Sequence, residues 1–372
     1  YGPSAQFKPN PSQTQSPKQN IHNLFHQQPH PMIVYLNGDF LPAHEAKISV
    51  ADRGFLFGDG IYEVIRVVHG IPFMASEHLE RLSDSLSHVA IDPEVFRQNA
   101  EQRAEHYADQ HEDQHEDQNA ELQADQQAKQ TENGQHQSEF HRHLFGVMEE
   151  LIRRNNLQEG EAAIYIQITR GATFPRTHHF PEEPLSPTVY LSANSFTPYT
   201  ELHQTGTNAI TFADQRWSQC HIKSVNLLPN VLAKQKARES GVNNVVMIRN
   251  GRVTESANTN IFGVMDGVLY THPDDETILS GVTRLAVFEL AEELGIEVQH
   301  RAILEEELPN LEELFFTGTT TDLLPVVELD GKPVGEGVPG PVCRALQEAY
   351  DQKMQRECAS KLQKDLQGEV LN

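Results

Sequence analysis

Five dipeptides punctuate this sequence and narrow its choice of fold: Asn37-Gly38, His69-Gly70, Asn250-Gly251, Asp266-Gly267 and Asp330-Gly331. Each stands between apolar or alternating runs, most cleanly in "VVMIRNGRVTES" and "IFGVMDGVLYTH". A two-residue hairpin turn needs positive φ at its central residues, and Asn-Gly and Asp-Gly supply it at low steric cost. Strands joined in this way are antiparallel neighbours, so antiparallel sheet must be abundant. Helices alternate with the hairpins. In "SEHLERLSDSLSHVAI" Ser76 is the expected N-cap, and Leu79, Leu82, Leu86 and Val89 share one face. In "TRLAVFELAEELG" a helix is expected to start at Thr283, with Val287, Leu290, Ala291 and Leu294 as its apolar stripe and Gly295 as its stop. Hairpins interleaved with amphipathic helices read as an α+β fold with antiparallel or mixed sheets and packed helices.

At 372 residues the chain is long enough for two domains or one large one. Shifts in composition divide it. Residues 1–32 are rich in Pro, Gln, Ser and Asn without hydrophobic periodicity, and are expected to be a disordered N-terminal arm. Residues 33–195 are expected to form a small N-terminal α/β domain, interrupted at about 98–141 by a segment almost free of large apolar residues. That segment, with its "QHEDQHEDQ" repeat, cannot bury enough apolar surface to offset its ordering entropy; it reads as an inserted solvated loop or marginal polar helix. A His-rich acidic tract can bind a divalent metal weakly, but no ligand spacing of a known type occurs, so no metal site is expected. A linker is expected at 196–206, where "ANSFTPYTELHQTG" separates two strand-rich halves. A larger C-terminal domain at 207–350 and a polar tail at 351–372 follow.

The charge balance excludes whole classes of partner. Lys and Arg number 29 against 53 for Asp and Glu, a formal net charge of -24, which argues against nucleic acid or an anionic membrane. No apolar run of about 18 residues predicts a membrane span, and no basic-then-apolar start predicts a secretory signal. Three cysteines, Cys220, Cys343 and Cys358, show neither paired nor metal spacing, which favours a reducing compartment and a cytoplasmic location. Cys220 reads as a small half-buried residue rather than a redox group.

Four stretches carry possible chemistry. Lys223, in "CHIKSVNLLPNVLAKQ", stands between Ile222 and Ser224-Val225 where a strand-like run turns helical. A half-apolar pocket disfavours the charged form of an ammonium, and a free amine can attack a carbonyl; a lysine can equally extend its head to solvent. Glu255, in "VTESANTNIFG", is either a strand-end glutamate or a carboxylate that can hold a ring nitrogen protonated. "LSGVTRLAVF" puts Gly281, Val282 and Thr283 at a helix start, where unpaired N–H groups and the helix dipole suit phosphate, although a plain Thr cap has the same look. "FFTGTTTDLLP" adds a hydroxyl-rich loop of Gly318, Thr319, Thr320 and Thr321. An amine, a carboxylate and a phosphate cradle are the three anchors that pyridoxal phosphate requires.

The motifs "DRGFLFGDGIYEVIRV", "EHLERL", "RWSQCHIKSVNLLPNVLAKQKA", "VTESANTNIFGV" and "LYTHP....ILSGVTR", in this order, resemble the fold-type IV pyridoxal-phosphate enzymes, and among them the D-amino-acid aminotransferases. The resemblance covers about residues 33–95 and 144–350, and in that family a short helical link takes the place of the insertion. It implies a two-domain enzyme with the cofactor in the larger C-terminal domain. Lys223 matches the lysine joined covalently to the cofactor, and Glu255 the acid facing its pyridine nitrogen. Arg81 matches a phosphate-binding arginine, Val282, Thr283 and Thr319 match further phosphate contacts, and Leu279 matches the apolar residue against the ring. Arg176 and His178, in "RGATFPRTHHFP", resemble an Arg-x-His trap for the substrate carboxylate, completed by Tyr62 and reaching across from the neighbouring subunit of a homodimer. This chain has one extra residue between Gly171 and Pro175, so His179 stands as the alternative to His178. The activity implied is transfer of the amino group of D-amino acids, chiefly D-alanine, to 2-oxoglutarate. A branched-chain L-amino-acid aminotransferase and an aminodeoxychorismate lyase share these anchors, and a non-catalytic scaffold built around the acidic insertion is the alternative of another class.

Overall fold

The computed structural model describes residues 31–92 and 139–369. Nearly all of the expected N-terminal arm and of the polar insertion lies outside the described residues. One sheet is built from β1 (Ile33–Leu36), β2 (Asp39–Pro42), β3 (Gly60–Val68), β4 (Ile71–Pro72), β5 (Glu161–Thr169) and β6 (Thr188–Ser195). Its six strands run in the order β2-β1-β6-β5-β3-β4, every pair antiparallel. A second sheet takes β7 (Thr207–Ala213), β8 (Asn244–Arg249), β9 (Arg252–Val253), β10 (Asn260–Met265), β11 (Val268–Thr271), β12 (Val298–His300), β13 (Glu313–Gly318), β14 (Asp322–Leu329) and β15 (Lys332–Pro333). Its nine strands follow the order β12-β11-β10-β13-β14-β7-β8-β9, with β15 on β14. This sheet is mixed: β7 is parallel to β8 and β14, and β11 to β12.

All five punctuating dipeptides turn hairpins, at β1–β2, β3–β4, β8–β9, β10–β11 and β14–β15. Both residues of each have positive φ, for example 52° and 109° at Asn37-Gly38 and 52° and 72° at Asp266-Gly267.

The helices are α1 (Arg53–Phe57), α2 (Ala75–His88), α3 (Glu139–Arg154), α4 (Thr200–Thr205), α5 (Leu228–Glu239), α6 (Val282–Glu293) and α7 (Pro341–Glu369). Period-two alternation in β5 buries Ala162, Ile164, Ile166 and Ile168 on one face. Leu79, Leu82 and Leu86 of α2 and Leu144, Met148 and Leu151 of α3 close over them. The cap of α2 differs from expectation. The helix begins at Ala75, after Met74 in the left-handed region, so the chain reversal leaving β4, and not Ser76, sets its start. Likewise α6 starts at Val282, with Gly281 as its cap residue, and Gly295 at φ 68° ends it. The stretch expected as a polar tail from 351 begins inside α7, where Tyr350, Met354 and Cys358 are buried in one core with Phe73 and Leu290. Spacing of four residues keeps these three on one side of an otherwise polar helix, too sparse a stripe to read from composition.

One crossing matters most for the site. The segment between β7 and α5 zips onto the start of β3: Tyr62 N–H donates to the Lys223 carbonyl at 3.0 Å and Val225 N–H to the Gly60 carbonyl at 3.0 Å. Lys223 is thereby pinned where the two sheets meet.

Candidate active site

Lys223 is half-buried, between the buried Ile222 and Ser224. Its N–H donates to Ser85 Oγ at 3.3 Å, and its Nζ stands 4.3 Å from the centre of the Tyr62 ring. With the backbone bonded on both sides, only the side chain is left to move. It projects into an open cleft that is also lined by Tyr62, Arg81, Glu255 and Leu279, and by Val282, Thr283 and Thr319.

Glu255 follows β9 and is 6% exposed. Its Oε2 accepts from Asn260 Nδ2 at 2.9 Å and from Leu279 N–H at 3.2 Å, while its Oε1 is paired with Arg216. Arg216 is itself held by Asp214, with Nε to Oδ1 at 2.9 Å and Nη2 to Oδ2 at 2.8 Å. Burial raises the Glu255 carboxyl above the usual carboxylate range, against the opposing pull of the Arg216 guanidinium. Burial also acts to raise Asp214, but the hydrogen bonds and charge of Arg216 outweigh it and bring that carboxyl down to about 2.

The opposite end of the cleft is built for an anion. No side chain caps α6, so its first amides, at Val282 and Thr283, are left for a ligand. Arg81 donates to the buried Glu63 carboxylate from Nε at 2.6 Å and Nη2 at 2.8 Å, and from Nη1 to the Ser280 carbonyl at 2.9 Å. A guanidinium has five N–H donors, so these bonds orient it and leave two for a ligand. His78 Nδ1 approaches Glu63 Oε2 at 2.9 Å from α2, fixing the far side of that carboxylate.

Two buried hydroxyls on the cleft wall, Ser256 Oγ and Thr317 Oγ1, find no hydrogen-bond partner among the described residues. Buried polar atoms are nearly always paired, and an orphan costs about 1–3 kcal/mol. Orphans on a cleft wall mark a site that a polar ligand completes. A lysine amine in the cleft, a buried carboxylate, an uncapped helix start and unsatisfied hydroxyls together fit pyridoxal 5′-phosphate.

Comparison with known proteins bears this out. The amino-transferase class IV family matches residues 138–329. The D-alanine aminotransferase of Staphylococcus haemolyticus is 36% identical over 319 residues, 86% of this chain and 96% of that protein. The chain is a class IV aminotransferase. The crystal structure of the Escherichia coli branched-chain amino acid aminotransferase matches with a TM-score of 0.68 at 26% identity, covering 87% of this chain and 95% of that one. A T.th. branched-chain amino acid aminotransferase with pyridoxamine 5′-phosphate shares the fold, with a TM-score of 0.68 at 24% identity over 88% of this chain and 96% of that one. Class IV aminotransferases work with pyridoxal 5′-phosphate, the group that the cleft fits.

Two expected residues stand apart from the cleft of their own chain. Arg176 and His178 lie on an exposed loop after β5, side by side on Phe57 of α1. The Arg176 guanidinium is 4.2 Å from that ring's centre and the His178 ring 5.3 Å. His179 instead approaches the Phe180 carbonyl through Nδ1 at 2.9 Å, and Arg176 and His178 share the Phe57 ring.

The cleft is also lined by residues given no role in the sequence reading, Arg216, Asn260, Ser256 and Thr317, and Glu63 and His78 stand behind Arg81. His78 and Arg81 did carry a signal, since three-residue spacing puts both on one face of α2. The others come from strands and loops that meet only in the folded chain.

Proposed function

We propose that this aminotransferase moves the amino group of D-amino acids, D-alanine above all, to 2-oxoglutarate, giving a 2-oxo acid and D-glutamate. The observation that carries this reading is the 36% identity with a D-alanine aminotransferase across 86% of the chain. The Arg176–His178 pair supports it, because a planar guanidinium suits bidentate pairing with a carboxylate.

The pyridoxal phosphate group, when bound, supplies an aldehyde that captures amino groups and a ring that draws negative charge away from the reacting carbon. The chain's own residues bind, orient and move protons. Lys223 would hold the cofactor's aldehyde carbon through Nζ, and once a substrate amine had displaced it, the freed Nζ would take the proton from the substrate Cα and hold it for return. Glu255 holds a proton at the pyridine nitrogen, a task suited to a buried carboxylate with a raised pKa. Arg81, Thr283, Thr319 and the amides of Val282 and Thr283 bind the phosphate, and Leu279 packs against the ring.

The carboxylate site completes itself between two copies in this reading. Arg176 and His178 of one copy of a homodimer reach the cleft of the other, where Tyr62 joins them. Their outward position supports this, as do the exposed apolar side chains of Val50 (74%), Phe55 (68%) and Phe174 (78%) around the same loop. We infer two domains, at 33–195 and 207–350, joined by 196–206; the presence of two separate sheets supports this division. Free thiols at Cys220, Cys343 and Cys358 support a reducing, cytoplasmic setting. No helix among the described residues is long and apolar enough to cross a membrane.

A panel of D-alanine, L-leucine and aminodeoxychorismate with 2-oxoglutarate tests the reading. Preferred turnover of D-alanine is expected. Preferred turnover of L-leucine would replace it with the branched-chain reading, which the likeness to the Escherichia coli enzyme favours.

A further inference from the structure

The loop carrying Arg176 and His178 is exposed, yet its backbone is tied to a buried ionic knot. Arg53 of α1 is 3% exposed and uses all three guanidinium nitrogens: Nε to Asp59 Oδ2 at 2.7 Å, Nη1 to the Thr177 carbonyl at 2.8 Å, and Nη2 to the His178 carbonyl at 3.3 Å. The Arg170 guanidinium, 7% exposed, shares the same carboxylate, with Nε to Oδ2 at 2.8 Å and Nη2 to Oδ1 at 3.0 Å. Arg170 also donates to the Ala90 carbonyl at 2.9 Å and the Val89 carbonyl at 2.6 Å, tying the knot to the end of α2. On its open side it is covered by the Phe180 ring at 3.7 Å, the far end of the same loop.

Two buried guanidiniums share one carboxylate here, with the buried Asp52 next in the chain to Arg53. Apolar residues would stabilise such a spot at least as well, so an ionic knot here is better explained by geometry than by stability. Surface loops move by default. This one is clamped at consecutive carbonyls, between the two side chains that it displays, and at Phe180.

We propose that Arg53, Asp59 and Arg170 are positioning residues that hold the 176–180 loop so that Arg176 and His178 meet a substrate carboxylate in register. None of the three lines the cleft, and none touches substrate in this assignment. The assignment rests on the reading of Arg176 and His178 as the carboxylate-binding pair, and the test separates the two claims. Its readout is the ratio of kcat/KM for D-alanine to that for ethylamine, which lacks the carboxylate, measured on Arg53→Met, Phe180→Ala and Arg176→Ala holoenzymes. Cofactor absorbance and cofactor dissociation constant are followed alongside. The ratio is expected to fall by about tenfold or more in Arg53→Met and Arg176→Ala, and by less in Phe180→Ala, with cofactor binding unchanged. A fall in Arg176→Ala alone overturns the positioning role and leaves the carboxylate pair standing. A fall in none of the three overturns both. If Arg53→Met loses its cofactor or fails to fold, Phe180→Ala decides: an unchanged ratio there overturns the role, and a fall with cofactor binding intact supports it.

Discussion

The side-chain amide of Asn260 fills the space that a side chain at Gly281 would need: a Cβ on Gly281 would collide with Asn260 Oδ1. The backbone of Gly281 is ordinary, at φ -76°, so the exclusion is purely steric. Asn260 cannot give way without loss, because its Nδ2 donates to Glu255 Oε2 at 2.9 Å and to the Leu279 carbonyl at 2.8 Å. One contact thus couples the start of α6 to the carboxylate at the other end of the cleft. Gly281→Ala is expected to keep the fold and to weaken pyridoxal phosphate binding by more than about tenfold, a loss of roughly 1.4 kcal/mol. Adding Asn260→Ser, which shortens the obstructing side chain, recovers part of it. Absorbance titration of the two proteins checks this, and an Ala variant with wild-type affinity would show that the contact yields freely.

Thr317 offers a test in which apo and holo proteins move in opposite directions. Its hydroxyl is buried in β13, at 1% exposure, without a partner among the described residues. Thr317→Val removes an unsatisfied group at little change of shape, so the cofactor-free protein is expected to hold its stability or gain up to about 1 kcal/mol. The stabilisation added by saturating pyridoxal phosphate should shrink in the same variant, since a ligand stabilises in proportion to the logarithm of its affinity. Urea unfolding with and without cofactor measures both. A cofactor-free Thr317→Val protein destabilised by more than about 1 kcal/mol would mean that the hydroxyl is already bonded within the chain.

Asp214 sets a window in acid stability. Burial acts to raise its carboxyl, yet Arg216 brings it to about 2 from an ordinary 3.8. A carboxylate with a depressed folded pKa stabilises fully above its unfolded pKa, and that contribution is lost as pH falls through the folded one. The window therefore runs from about pH 4 down to about pH 2, and the contribution is on the order of 2 kcal/mol. Unfolding free energies measured across this range should fall less steeply in Asp214→Asn than in wild type. Parallel slopes would remove Asp214 from the list of groups that drive acid unfolding.

Where local chemistry decides, the sequence was legible. Positive φ at Asn37-Gly38 or Asp330-Gly331 is a property of two residues, and it placed five hairpins correctly. The stripe of Val287, Leu290 and Ala291 in α6 is likewise local, and all three are buried, but Leu294, expected to extend it, is the C-cap residue and is exposed. Ser76 failed as a cap because the turn after β4, and not the capping preference of a side chain, decides where α2 begins. Lys223, Glu255, Thr283 and Arg216 all stand in motifs of the sequence, but only the first three were given a role there; the pairing of Arg216 with Glu255 exists only in the folded chain. The clamp on the Arg176 loop was hidden for the same reason, since Arg53 and Thr177 lie 124 positions apart in sequence.

Glu255 separates chemistry from binding. A glutamine in its place keeps the size and can still accept from the Leu279 N–H and Asn260 Nδ2, but it then turns an amide toward Arg216 and cannot share a proton with a ring nitrogen. The proposed phosphate anchors at the start of α6 and at Arg81 are untouched by the change. Glu255→Gln is therefore expected to lower kcat by roughly 10²–10⁴ while the cofactor dissociation constant moves by less than about tenfold. Turnover of D-alanine with 2-oxoglutarate and an absorbance titration of the same preparation give the two numbers. The opposite pattern, cofactor lost and kcat kept at saturating cofactor, would make Glu255 an anchor for the ring rather than the holder of its proton.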